Sequence, residues 1–394
     1  MRRSVGAALA AAGAAALVAG VVVAAGGTAQ ATTLTSNWYG SAPYVMPLDN
    51  NPPNLTTVMS ATGQKAFELA FILANGSSCS PAWDGTAPVS SDTAVGNVIT
   101  AVRNSGGDVS ISIGGYGGTK LGQVCGSAAA TAAAYQQVIT KYSLKAVDFD
   151  LEEPEYENTT AINYEVGAAK ILLANNPGLY VSITTAGTAA GTGYFGQNVL
   201  NTAKSIGFTP NNYSIMPFDG GFNGASSQTA ALEAFHGLLM STFGWDSATA
   251  YAHEGVSMMN GRSDSGEYFY QADFATVLSY ATSHHLSRYT FWSVNRDRAC
   301  NPPIGTTSGV CSSVTQNDWD FTRYTTQFAG ATPPTSPPPT TPPTTPPTTS
   351  TSPTTGCSAA AWNSTTAYNG GAVVSYNGHT WTAKWWTQGD IPGN

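Results

Sequence analysis

Apolar, β-branched runs alternate with alanine-rich stretches through most of the sequence. The apolar runs have the length of buried strands, and the alanine-rich stretches have the length of packed helices. Eight runs are predicted to be strands: Tyr39–Val45, Ala66–Leu73, Asp108–Gly115, Ala146–Glu152, Leu179–Ala186, Asn212–Asp219, Gly255–Asn260 and Arg288–Asn295. Helices are predicted between them: Asp92–Arg103, Ala128–Tyr142, Ala161–Asn175, Phe195–Ile206, Gln228–Phe243 and Tyr268–His284.

The regular alternation of strands and helices indicates the fold class. Such alternation is typical of parallel βαβ units, and eight units predict a closed α/β structure, the (β/α)8 TIM barrel, over residues 32–331. An open doubly wound sheet is the alternative, but no G-x-G-x-x-G follows the first predicted strand. Active sites of the barrel lie at the C-terminal ends of the strands, so polar residues there are candidates for function.

The segments outside the predicted barrel differ sharply in composition. Residues 1–31 combine Arg2 and Arg3 with an apolar run and a small-residue site ending at Ala31. We expect a signal peptide rather than a membrane anchor, because the run is mostly Ala and Gly and a cleavage site follows it. Residues 332–356 are a Pro/Thr/Ser-rich linker expected to be extended. Residues 357–394 predict a small all-β module.

Charge and cysteine content narrow the function classes. The chain has 15 Lys and Arg against 23 Asp and Glu, a formal net charge of −8, so nucleic acid is not expected as a partner. No stretch after the signal peptide is apolar enough to span a membrane. We therefore expect a secreted, extracellular monomer. No C-x-x-C pair or histidine spacing indicates a metal, and no cofactor is implied.

The five cysteines fit an oxidising compartment. Cys300 and Cys311 are the natural local pair, which leaves Cys79 with Cys125 in the same domain. Cys357 has no partner, so the module is expected to be truncated or the sequence to be a fragment.

The fourth predicted strand carries the strongest candidate for chemistry. Because strand side chains alternate between faces, Asp148, Asp150 and Glu152 point the same way, towards the barrel interior. Three like charges this close cannot all ionise, so at least one pKa is raised and one acid stays protonated near neutral pH. A carboxyl group kept protonated in this way can act as a general acid. A solvated acidic edge and a calcium site are the alternatives, but calcium ligands prefer flexible loops.

Four motifs resemble glycoside hydrolase family 18, the chitinase family. Asp148-Phe149-Asp150-Leu151-Glu152 resembles its D-x-D-x-E core, and Ser112-Ile113-Gly114-Gly115 resembles its S-x-G-G. Met216-Pro217-Phe218-Asp219 resembles its M-x-Y-D, and Trp292 resembles the tryptophan that floors its sugar subsite. The motifs follow one another on predicted strands three, four, six and eight.

The resemblance implies retaining hydrolysis in which the substrate's own 2-acetamido group is the nucleophile. It implies that Glu152 is the general acid and base, that Asp150 orients the acetamide, and that Asp148 lies deeper and takes up charge. It also implies that the substrate is bound by Ser112, Met216, Phe218, Asp219 and Trp292. Tyr116, in the glycine-rich loop after the third predicted strand, is a further candidate for stacking on a sugar ring.

Three positions depart from the family pattern. Lys145 stands where the longer motif begins with an aspartate, near the bottom of the barrel, so a structural effect is expected. Phe218 replaces a tyrosine that hydrogen-bonds the acetamide, and a phenyl ring cannot donate that bond. Glu153 and Glu155 follow the motif and either line the cleft or are loop acids, of which we favour the second.

The C-terminal module is rich in aromatic residues. Ala383-Lys384-Trp385-Trp386-Thr387 resembles the A-K-W-W-T motif of family 5/12 carbohydrate-binding modules, which bind chitin. Trp385 and Trp386 are the expected binding pair. The sequence therefore predicts a secreted chitinase acting on chitin and its oligosaccharides. An endo-β-N-acetylglucosaminidase acting on N-glycans and an inactive chitin-binding protein are the alternatives.

Overall fold

The computed structural model describes residues 34–332 and parts of the C-terminal region, namely 359–364, 366–368, 372–376, 379–383, 387–388 and 391–392. These residues belong to two compact units. The predicted signal peptide and almost all of the predicted linker lie outside the described residues. Within the part that is described, no helix has the length and apolarity needed to cross a bilayer.

Eight parallel strands form the central sheet of the larger unit, and they follow one another in the sheet in the same order as in the chain. We number them β1 (Tyr44–Val45), β2 (Ala66–Asn75), β3 (Asp108–Gly114), β4 (Ala146–Leu151), β5 (Tyr180–Thr188), β6 (Asn212–Met216), β7 (Glu254–Met259) and β8 (Arg288–Trp292). Each strand pairs with the next from β1 to β8. The predicted TIM barrel is confirmed.

Helices surround the sheet. They are α1 (Ser36–Gly40), α2 (Leu55–Thr62), α3 (Ala94–Asn104), α4 (Leu121–Val124), α5 (Ala128–Tyr142), α6 (Thr159–Asn175), α7 (Tyr194–Ser205), α8 (Gly224–Phe243), α9 (Ser247–Ala252), α10 (Gln271–Ser283) and α11 (Thr322–Phe328). Short strands extend the loops: Ser78–Trp83, Ala87–Pro88, Gly191–Thr192, Gly261–Arg262 and Tyr268–Phe269.

Capping residues set where the helices begin. The side chain of Asn158 accepts hydrogen bonds from the Thr160 and Ala161 amides at the start of α6. Ser127 caps α5 in the same way through the amide of Ala130. These bonds satisfy amides that have no partner within the helix. The apolar faces of the helices and the outward faces of the strands share one buried core.

Side chains close the barrel between β1 and β8. The side-chain amide of Asn295, which follows β8, accepts a hydrogen bond from the Met46 backbone N–H at 2.9 Å and donates one to the Met46 carbonyl at 3.0 Å. Thr290 donates to the carbonyl of Ala42. The two-residue strand β1 is therefore held on one side by the ladder to β2 and on the other by polar side chains of β8 and its loop.

Several predicted strands extend beyond the observed ones, and the first and the sixth show why. Tyr39 and Gly40, predicted as strand, lie in the short helix α1, where the Tyr39 hydroxyl donates to Asp108 at 2.7 Å. A side chain at Gly40 would meet the Ser287 carbonyl, so this segment packs closely under the barrel. β6 ends at Met216, because the following Pro217 has no N–H and Asp219 takes a positive φ of 55°.

The predicted disulfides are confirmed within the larger unit. Cys79 is bonded to Cys125, and Cys300 is bonded to Cys311. Cys357 lies outside the described residues.

The smaller unit is all-β where it is described. Val373–Tyr376 pairs antiparallel with His379–Thr382, and Ala367–Tyr368 pairs antiparallel with Thr387–Gln388. Trp362 is half-buried against Tyr376, with ring centroids 5.2 Å apart. The Trp385 and Trp386 predicted to bind sugar lie outside the described residues.

A buried acid makes the stability of the barrel depend on pH. Glu254 at the start of β7 is fully buried, 3.3 Å from the ring of His236. Burial, reinforced by the charge of Glu233, raises the pKa of Glu254 from 4.5 to about 9. Folding therefore favours the protonated form, and the associated stability is complete below about pH 4.5 and lost as the pH rises through 9.

We predict that the free energy of unfolding of Glu254→Gln at pH 8 is higher than that of the native protein by roughly 2 kcal/mol, because glutamine keeps the shape of the side chain and never ionises. The difference should close at pH 5. Urea unfolding at both pH values measures it, with the exposed Glu157→Gln as the matched control. An equal difference in the free energy of unfolding at pH 5 and pH 8 would contradict the raised pKa of Glu254.

Candidate active site

A cleft of about 800 Å³ opens at the C-terminal ends of the barrel strands. Side chains from β2, β4, β6 and β8 and from the loops that follow them line it. The site residues predicted from sequence in its wall are Tyr116, Asp150, Glu152, Met216, Phe218, Asp219 and Trp292. Because these residues are far apart in the chain, only the barrel brings them together.

Asp148 lies below the cleft and is fully buried. Its carboxylate accepts four hydrogen bonds from hydroxyl groups: Tyr44 at 2.8 Å, Ser112 at 3.0 Å, Ser182 at 2.6 Å and Thr184 at 2.9 Å. Ser112 therefore does not face the cleft as a substrate ligand would. It acts from the neighbouring strand β3 on the deepest of the three acids.

A buried arginine lies at the foot of this network. Arg288, at the start of β8, forms an ion pair with Glu68 of β2 and lies 3.7 Å from Asp148. Its guanidinium also lies 5.8 Å from the ring centre of Tyr44. Burial raises the pKa of Glu68 to about 7, although Arg288 opposes the shift. The cation thus compensates the negative charge inside the barrel.

Asp150 lies between Asp148 and Glu152 on the same face of β4. One of its carboxyl oxygens is buried with no hydrogen-bond partner among the described residues. Burial, followed by the charges of Glu152 and Asp148, raises its pKa well above the ordinary value. Ionisation of Asp150 is therefore disfavoured by its burial and by the two neighbouring acids.

Glu152 lies just beyond the end of β4 and is half-buried in the cleft wall. Burial and the neighbouring Glu153 raise its pKa to about 7, while Lys120 lowers it. A carboxyl group with this pKa is poised to give and take a proton near neutral pH.

Strand β3 approaches β4 very closely at the site. Gly114 has φ of +106°, and a Cβ there would lie 2.1 Å from the Asp150 carbonyl. The approach lets the Gly115 amide donate to that carbonyl at 2.8 Å. Only glycine permits this geometry, which explains the S-x-G-G pattern.

Aromatic rings form the floor of the cleft. Trp292 at the end of β8 stacks on Phe71 of β2, with ring centroids 5.4 Å apart and planes 11° apart. Tyr44 lies 5.9 Å from Trp292. A flat apolar surface of this kind fits the face of a sugar ring.

The loop after β6 forms the opposite wall. Phe218 and Asp219 both line the cleft, and the carboxylate of Asp219 accepts from the Ser265 amide at 2.6 Å. Glu267 in turn accepts from the backbone amides of Asp219 and Phe222, both at 2.7 Å. The loop is thus fastened to the segment between β7 and α10.

The residues around the acids occupy different environments. Tyr116 is 81% exposed at the rim of the cleft. Glu153 lines the cleft, which is the alternative to the loop acid that we favoured, whereas Glu155 is a loop residue that is fully buried outside the cleft wall. Lys145 is exposed just before β4, at the opposite end of the strand from the cleft.

Among the described residues, no group of three or more His, Cys, Asp or Glu side chains is arranged to hold a metal ion.

The sequence of the barrel is similar to those of known chitinases. Over 282 residues the chain is 28% identical to a probable bifunctional chitinase/lysozyme of Escherichia coli, covering 65% of this chain and 30% of the relative. It is 27% identical over 281 residues to endochitinase 11 of Metarhizium anisopliae, covering 65% of this chain and 52% of the relative. The chain spans about half or less of these curated relatives.

A solved structure matches the barrel more completely. The catalytic domain of a hyperthermophilic chitinase from Pyrococcus furiosus aligns with a TM-score of 0.66 and 25% identity, covering 73% of this chain and 94% of that one. The four motifs lie at the strand ends of this shared fold. The barrel is therefore similar to the catalytic domains of chitinases, and its four motifs resemble those of glycoside hydrolase family 18. Residues 361–394 match carbohydrate-binding module family 5/12, so a binding module accompanies the barrel.

Sequence reasoning missed several residues of the candidate site. Phe71 and Tyr44 line the cleft, and Arg288 and Glu267 hold its parts in place. Phe71 and Tyr44 lie on predicted strands and carry no motif. Lys120 follows the glycine-rich loop, from which only Tyr116 was predicted to belong to the site.

We predict that Arg288→Met destabilises the barrel by roughly 3 kcal/mol, because Glu68 and Asp148 lose the buried cation. Adding Glu68→Gln should recover part of the loss. Denaturant unfolding of the two single variants and the double variant at pH 7 measures the coupling. Strict additivity of the two substitutions would show that the ion pair contributes nothing.

Proposed function

We propose that this protein is a secreted chitinase that hydrolyses β-1,4 linkages between N-acetylglucosamine units by a retaining, substrate-assisted mechanism. The observation that carries the proposal is the line of Asp148, Asp150 and Glu152 on β4, which runs from the buried interior to the cleft. The similarity to chitinases from three organisms supports the choice of substrate.

Glu152 is the general acid in this proposal. With a pKa of about 7 it is protonated in a substantial fraction of molecules at neutral pH, and it lies in the cleft wall where a glycosidic oxygen can reach it. It donates its proton to that oxygen as the bond to the anomeric carbon breaks. Because the protonated form is required, activity falls as the pH rises above about 7.

The acetamide of the sugar supplies the nucleophile. Its carbonyl oxygen attacks the anomeric carbon as the leaving group departs, which forms an oxazolinium ion. Asp150 orients the acetamide and stabilises the developing positive charge, and the buried, hydrogen-bonded Asp148 lies beneath it. A water then attacks the anomeric carbon and gives its proton to Glu152, so the β-configuration is retained.

The cleft walls hold the sugar. Trp292, supported by Phe71, provides the flat floor on which the ring stacks. Asp219, Met216 and Phe218 form the wall facing that floor, and Tyr116 at the rim adds an exposed ring for a neighbouring sugar.

The binding module and the disulfides suit an extracellular polymer. A family 5/12 module tethered to the barrel raises the effective concentration of the enzyme at an insoluble substrate, with Trp385 and Trp386 as its sugar-binding pair. Disulfides at Cys79–Cys125 and Cys300–Cys311 persist in an oxidising environment, which supports secretion.

We predict that the native protein releases products from colloidal chitin and chitin oligosaccharides, and that Glu152→Gln lowers kcat by about a thousandfold or more. The variant keeps the shape but cannot donate or accept the proton. Product release and the anomer of the first product, read by NMR, measure both claims, and the β-anomer is expected. Glu157→Gln, on an exposed loop residue, is the control and should retain activity.

Two results would contradict this function. An α-anomer as the first product would exclude the retaining mechanism. Absence of cleavage by the native protein, with chitin binding intact, would assign the barrel to sugar binding alone.

We also predict that Phe218→Tyr raises kcat/KM on chitin oligosaccharides by about fivefold, because the added hydroxyl supplies a donor for the acetamide. Steady-state kinetics at pH 6 measure the effect. Phe195→Tyr, another partly buried phenylalanine, is the matched control outside the cleft wall. Equal kinetics for native protein and Phe218→Tyr would show that this wall does not contact the acetamide.

A further inference from the structure

A cluster of charged residues is buried directly behind the cleft. Lys120, Glu155 and Glu165 are all fully buried, and the mechanism above uses none of them. Lys120 immediately precedes α4, Glu155 lies between β4 and α6, and Glu165 lies on α6. Buried charges are costly unless they are paired, so their arrangement calls for a role.

Lys120 joins the loop after β3 to the loop after β4. Its ammonium group donates to the carbonyls of Gly117 at 2.6 Å and Glu153 at 2.9 Å. The Gly117 amide donates to the same Glu153 carbonyl at 3.0 Å. The backbone next to Glu152 is therefore fixed by a charged donor from a different loop.

The two acids form a pair behind Lys120. One oxygen of Glu165 accepts from the Gly122 amide at 2.6 Å and from the Tyr135 hydroxyl at 2.7 Å. Burial, followed by the charge of Glu165, raises the pKa of Glu155, and burial also raises the pKa of Glu165. Each of these two buried carboxyl groups therefore disfavours the ionisation of the other.

The charges facing Glu152 are mostly negative. Glu153 lies beside it, Asp219 lies across the cleft, and Asp150 lies below it on β4. Lys120 opposes them from the loop after β3, and the amide of Tyr116 acts in the same direction. Lys120 in turn interacts with Glu155, Glu152, Asp150 and Glu153.

We propose that Lys120 is a positioning residue for the general acid: its ammonium group clamps the backbone beside Glu152 and offsets the negative charge around that carboxyl group. Lys120 is fully buried and does not contact the substrate, so it acts only through Glu152 and its loop. The inference rests on the proposed function, which assigns proton transfer to Glu152.

Three substitutions at this position separate the two parts of the role. Lys120→Met removes both the charge and the donors, Lys120→Gln keeps donors without the charge, and Lys120→Arg keeps the charge. Lys141→Met is the matched control, because Lys141 also donates to two backbone carbonyls, those of Ser90 and Asp92, but lies at the end of α5 away from the cleft.

Kinetics on chitin oligosaccharides across pH give the first measurement. Lys120→Met is expected to lower kcat about tenfold at pH 6 with KM changed by less than about twofold. The basic limb of the kcat/KM profile should move to higher pH by about half a pH unit or more in Lys120→Met and Lys120→Gln, because the opposing positive charge is gone. Lys120→Arg should restore the limb, and Lys141→Met should leave it unchanged.

A second measurement does not depend on activity. The carboxyl carbon of Glu152 is titrated by NMR in protein carrying ¹³C-labelled glutamate, and Glu152→Gln assigns its signal. In Lys120→Gln this titration should move to higher pH, whether or not the protein cleaves chitin. An unmoved titration together with an unmoved basic limb would overturn the proposal. A moved titration in a protein without chitinase activity would instead support the role of Lys120 and reject the proposed function.

Discussion

The burial of three carboxyl groups along one face of a single strand is the constraint on which the rest of the barrel depends. Strand geometry points Asp148, Asp150 and Glu152 inward, and the interior must then compensate them. Compensation is graded along the strand. Asp148 receives four hydroxyl hydrogen bonds and lies near Arg288, whereas Asp150 has one oxygen without a hydrogen-bond partner among the described residues. Compensation by hydrogen bonds therefore decreases along the strand from the interior to the cleft.

This gradient accounts for features that have no obvious connection in the sequence. Arg288 and Glu68 lie 220 residues apart in the chain, yet they meet beneath Asp148, where the cation compensates its charge. Gly114 permits the close approach of β3 that fills the space beside Asp150. Each of these residues supports the same result, which is a reactive carboxyl group placed above a fully compensated one.

The loops at the cleft are held by buried charges as well as by packing. Glu267 fastens the loop after β6 through the backbone amides of Asp219 and Phe222. Lys120 fastens the loop after β4 through the Glu153 carbonyl. Loops are the most mobile parts of a barrel, and a site on them needs such second contacts to keep its geometry. The departure at Phe218 lies on a wall anchored in this way.

The sequence by itself determined the strand order, the inward face of β4 and the line of acids, because side-chain alternation and strand–helix alternation are local properties of the chain. The S-x-G-G and D-x-D-x-E patterns also pointed to the family before any contact was known. Only the tertiary structure decided the partners of those acids. Tyr44, Arg288 and Lys120 carry no local signal, and their effect on each carboxyl group depends on burial and distance through space, which are established only when the barrel closes.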